Sequence, residues 1–150
     1  MPWRGVIILM TRFTQLLAPS GIDVPSSQQE YARKQFPELV SRSNLRLWKP
    51  GDEIPNNKPR LLLGVATYSD SDMRLLDALD ERVGVGTEER VDVFNVLDCK
   101  SQSDFAKYVP GISRVFQSPV VGVWEDGTLK RSLSGSEARH FLIDRYKLSP

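Results

Sequence analysis

The residues Arg60-Leu61-Leu62-Leu63-Gly64-Val65-Ala66-Thr67 leave few folds open to this chain. The run is short, almost continuously apolar and preceded by Pro59, the pattern of a strand covered on both faces and therefore central in its sheet. Tyr68-Ser69-Asp70-Ser71-Asp72 follows at once, and from Asp72 to Val83 the apolar residues Met73, Leu76, Leu79 and Val83 recur at helical spacing. Ser69, Asp70 or Ser71 can cap that helix, Asp72 complements its positive end, and Gly84 suits the left-handed residue that ends a helix. A buried strand feeding straight into a capped helix predicts an α/β fold.

The rest of the chain extends the pattern. Val91 to Leu97 reads as a second strand, more apolar at its odd-numbered positions, and Ser101-x-x-Asp104 opens a short helix to Tyr108 that Pro110-Gly111 ends. Val120 to Glu125 is a third strand, Asp126-Gly127 a hairpin signal, and Thr128 to Leu133 the returning fourth strand. Ser134-x-x-Glu137 is a capping box before Ala138, Phe141, Leu142 and Arg145, a stripe on a C-terminal helix. Because the first two strand-to-strand links contain helices, both are expected to be parallel crossovers, with an antiparallel edge from the hairpin.

Residues 1–58 read as an N-terminal extension and 59–150 as the core. In the extension, Ser27-x-x-Glu30 is a capping box for a helix that Pro37 can restart at Glu38, giving a helical segment over 27–43. Val6 to Met10 fits an edge strand or the start of a helix reaching Leu17. Residues 49–59 are rich in proline and asparagine and form a connection into the core.

Composition narrows the chemistry. Twenty basic and nineteen acidic residues give a net charge of +1 with no basic block, which argues against nucleic acid as a partner. The run Val6-Ile7-Ile8-Leu9-Met10 is far short of a membrane span, so no membrane partner is expected. Cys99 is the only cysteine, so an intrachain disulfide, a thiolate metal cage and a dithiol couple are all ruled out. A cytoplasmic location fits that; the alternative is a targeting segment in residues 1–22, which hold Arg4 and Arg12 and no acid.

The strand Leu61 to Thr67, the junction Tyr68 to Asp72, the strand end Asn95-Val96-Leu97-Asp98, Ser118-Pro119 and the hairpin Trp124-Glu125-Asp126-Gly127 together resemble the thioredoxin superfamily in order and spacing. Lys49 to Pro55 also looks like the lead-in of peroxiredoxin-like and cytochrome-maturation relatives. The resemblance implies a three-layer α/β/α fold, with a mixed sheet of four or five strands, a parallel core and an antiparallel C-terminal hairpin. It places the family's two thiols at Ser69 and Asp72, the preceding aromatic at Tyr68, and the buried proton-transfer acid at Leu63. A serine hydroxyl forms no stable mixed disulfide and a carboxylate resolves none, so this would be a redox-inactive member with no catalytic pair.

What the resemblance leaves is a binding edge. With Ser118-Pro119 in the cis form, main-chain groups of Ser118 would pair with an extended protein or peptide segment beside Tyr68, Ser69 and Asp70. An enzyme reading rests instead on Cys99 as a sole reactive thiol, against a small, inert, partly buried one. Ser69 to Asp72 with Asp98 form a conceivable metal site, against the plainer reading of helix caps and first-turn acids, which calls for no metal and no cofactor. His140 reads as solvated, Trp3, Trp48 and Trp124 as packing residues, and Lys130-Arg131 as a guard on an edge strand.

Overall fold

The computed structural model describes residues 12–17, 25–52, 59–84, 90–99, 101–109 and 117–148. Trp3, the Val6–Met10 run, residues 1–11 and 18–22 of the targeting segment, Ser27 of the first capping box, residues 53–58 of the connection and Pro110-Gly111 lie outside the described residues or, for Ser27, the described side chains. The fold is α/β, with strands β1 (Arg46–Leu47), β2 (Arg60–Val65), β3 (Arg90–Asn95), β4 (Val120–Glu125) and β5 (Thr128–Ser134). The helices are α1 (Pro25–Ser41), α2 (Asp70–Val83), α3 (Gln102–Tyr108) and α4 (Gly135–Tyr146), with single 3-10 turns at Phe13–Leu16 and Val96–Asp98. Among the described residues no helix is long and apolar enough to cross a membrane.

One five-stranded mixed sheet has the order β1-β3-β2-β4-β5. All six residues of β2 are buried, as its apolar run requires at a central position. β2 runs parallel to β3 and β1 parallel to β3, whereas β4 is antiparallel to β2, with Val120 opposite Gly64. The second helical link is therefore not a parallel crossover. Its seven-residue helix rises only about 10 Å, half the roughly 20 Å span of a six-residue strand, and β4 starts at the sheet end where β3 stops.

Alternate strand residues feed two apolar clusters. Leu61, Leu63, Val65, Val91, Val93, Val121 and Val123 meet side chains of α1, α2 and α4 together with Phe13 and Leu16. Leu62, Phe94, Val120 and Trp124 meet Trp48, Cys99 and Phe105 on the other face. Residues 13–48 thus contribute a helix, an edge strand and core side chains to the same structure. Both faces of β3 are covered, and Asp92 at an even-numbered position is fully buried against Arg60, itself stacked on Trp48, and against Arg90. Burial pulls the Arg60 guanidinium below its usual value while Asp92 opposes that shift.

Three local expectations are corrected. Helix α1 runs unbroken through Pro37, because Ala32, Phe36, Leu39 and Val40 hold one face against the core on both sides of the proline. Gly84 ends α2 in a right-handed conformation, φ −67°. Its lack of a side chain serves a close approach instead, since a Cβ there would lie 2.5 Å from Nδ2 of Asn44, which donates to the Asp80 carbonyl. Ser134 makes no side-chain cap on α4. Gly135, at φ +61°, donates its N–H to the carbonyls of Gln117 and Pro119 and anchors the helix start that way.

Candidate functional site

The turn between β2 and α2 is held by a closed set of bonds. Ser69 caps α2 by accepting from the Asp72 N–H at 3.2 Å, and its own N–H donates to the Ala66 carbonyl. Asp72 is completely buried, which its place in the first helical turn would not predict. One carboxylate oxygen accepts from the Ala66 N–H at 3.0 Å, and the other faces Nη2 of Arg139 at 2.9 Å. Arg139, on α4, also donates to the Ser71 carbonyl and hydroxyl, both at 3.0 Å. One guanidinium fork thereby ties the C-terminal helix to the junction.

Tyr68 projects from this turn and is 61% exposed, the exposed large hydrophobic side chain among the described residues. Asp70 is exposed and pairs with Arg74 one turn along the helix. The Ser118–Pro119 peptide bond is cis. Both residues directly precede Val120, which lies opposite Gly64, so they stand at the same end of the sheet as Ala66 to Tyr68. Ser118 is half-buried and Pro119 buried, and the Pro119 carbonyl accepts from Gly135 at the start of α4. The described geometry therefore gathers Tyr68, Ser69, Asp70, Ser118 and Pro119 at one sheet end.

Cys99 and Asp98 are placed differently. Cys99 is 4% exposed within the cluster of Trp48, Phe94 and Phe105, the setting of a small buried hydrophobe rather than of an accessible nucleophile. Asp98 sits 3.4 Å from Arg33 on α1. Burial raises its carboxyl above the ordinary value, with Arg33 partly opposing, and the nearby Tyr108 hydroxyl is raised by burial and then by the Asp98 charge. Asp70, Asp72 and Asp98 thus face Arg74, Arg139 and Arg33 respectively, and among the described residues no group of three acids, histidines or cysteines converges as a metal site would need. Leu63 is fully buried core.

His140 is exposed and lines a groove with Arg131, Leu133 and Phe141 that shares no residue with the junction. Sequence reasoning missed Arg139 altogether. The one sign of it in the chain is a basic residue on the α4 stretch, and nothing local connects that residue to an acid so far upstream.

No protein-family model matches this chain, and no curated protein matches it either.

Proposed function

We propose that this protein is a thioredoxin-like domain without thiol chemistry that docks an extended protein segment at the edge formed by Tyr68, Ser69, Asp70, Ser118 and Pro119. The thioredoxin-like reading, with its three-layer α/β/α arrangement, draws support from the element order after residue 59, from the β1-β3-β2-β4-β5 sheet and from helix side chains meeting both sheet faces. The reading without thiol chemistry draws support from the groups present: the Ser69 hydroxyl serves as a helix cap, and the Asp72 carboxylate is engaged on both oxygens. Neither group can carry a mixed disulfide. One cysteine in the chain suits a reducing, cytoplasmic setting.

The exposure of Tyr68 carries the docking reading. An aromatic ring held out on a turn whose backbone is pinned at Ala66 and Ser69 supplies contact area at little conformational cost to a partner. A segment laid along this edge would place an apolar side chain on Tyr68 and gain main-chain bonds at Ser118, a small case of strand addition.

Panning a random peptide library against the intact protein and against Tyr68→Ala tests this reading. Binders that need Tyr68 support it. Recovery of the same binders by both proteins would remove the assignment of this edge.

A further inference from the structure

We infer that Arg139 is a positioning residue for the docking edge: acting through Asp72, it locks the Ala66–Ser69 turn to α4 and so fixes where Tyr68 points. Asp72 is fully buried and its two carboxylate oxygens are divided between two tasks. One accepts from the Ala66 N–H, at the last step of the chain before Thr67 and Tyr68, and the other meets Arg139. A buried carboxylate that keeps only a single backbone donor is poorly compensated, so the Arg139 guanidinium supplies the second partner that holds Asp72 in place against Ala66.

The same guanidinium grips Ser71 at its carbonyl and hydroxyl. The first turn of α2 is therefore held both from within, through the Ser69 cap, and from another helix. α4 is in turn tied to the other half of the edge, since Gly135 at its start donates to the Pro119 and Gln117 carbonyls. Both strips of the proposed docking edge hang on one helix, through Arg139 on one side and Gly135 on the other. The consequence for docking rests on the proposed function; the lock itself does not.

Amide hydrogen exchange of the intact protein, followed residue by residue by NMR without any ligand, tests the lock. In Arg139→Ala the amides of Ala66, Ser69 and Asp72 should exchange about tenfold faster or more, as loss of charged hydrogen bonds implies, while those of Val121 and Val123 in β4 hold within about twofold. Arg139→Lys, which keeps a cation within reach of Asp72 but cannot fork to Ser71, should recover part of that protection. Unchanged junction amides in Arg139→Ala, or acceleration equal to that in β4, would overturn the inference. The docking arm uses peptides selected on the wild type: they should bind Arg139→Ala more weakly, and undiminished binding alongside a loosened junction would refute the positioning role while leaving the Tyr68 edge intact. If no peptide requires Tyr68, the docking reading alone fails and the exchange result still decides the lock.

Discussion

Arg139 reaches back 67 residues to set its guanidinium 2.9 Å from the Asp72 carboxylate, and through it holds the backbone that carries Tyr68. Removing the acid strands the buried Ala66 N–H and leaves the Arg139 guanidinium with its Ser71 bonds but without the Asp72 carboxylate. Asp72→Ala should therefore destabilise the protein by about 2–4 kcal/mol in urea unfolding. Asp72→Asn, which keeps an acceptor for Ala66, should lose clearly less; equal losses would show that the Ala66 bond contributes nothing.

Asp80 gives a pH prediction. Its carboxylate is nearly buried and accepts from the Asn44 N–H at 2.7 Å; burial raises its pKa above 3.8, with the Asn44 bonds opposing. A raised folded pKa means the native state binds the proton more tightly than the unfolded chain, so this group's contribution to stability falls as pH rises from about 3.8 through the folded value. Asp80→Asn keeps a carbonyl for Asn44 and carries no charge. Relative to wild type it should melt higher at neutral pH than at acid pH, and a difference that is constant across that range would contradict the assignment.

Gly135 begins α4 at φ +61°, and a Cβ there would meet Oε1 of Gln117 at 2.7 Å. The glutamine end can swing away, so the lasting penalty is the left-handed backbone, about 1–2 kcal/mol for alanine. Gly135→Asn should be milder than Gly135→Ala in thermal melts, because asparagine tolerates that conformation. The reverse ranking would place the requirement in the contact with Gln117.

Cys99, 4% exposed among aromatic residues, should react with iodoacetamide far more slowly in the native protein than in urea. Native alkylation as fast as that of the unfolded chain would reopen the thiol-enzyme reading.

The core elements were legible wherever a local pattern and a local cause coincide. The Leu61–Val65 run, the Ser69 and Ser101 caps and the Asp126-Gly127 turn, with both residues at positive φ, each carry their reason within a few residues of chain. Features decided by distant partners were not. β1 is two residues long and exists because it pairs with Asp92 and Val93. Asp77 and Asp80 on α2 lie one helical turn apart, yet what they hold is Phe13 with Thr14 and Asn44, far upstream. The same holds at the site: Tyr68, Ser69 and Ser118-Pro119 could be named from the sequence, while the burial of Asp72 depends on Arg139 and could not.

The most direct test is an NMR titration of the intact, labelled protein with a peptide selected against it. Amide shifts should concentrate at Tyr68, Ser69, Asp70, Ser118 and Val120 and disappear with Tyr68→Ala. Shifts confined instead to the groove of Arg131, His140 and Phe141, or unaltered in Tyr68→Ala, would show that the protein docks its partner elsewhere.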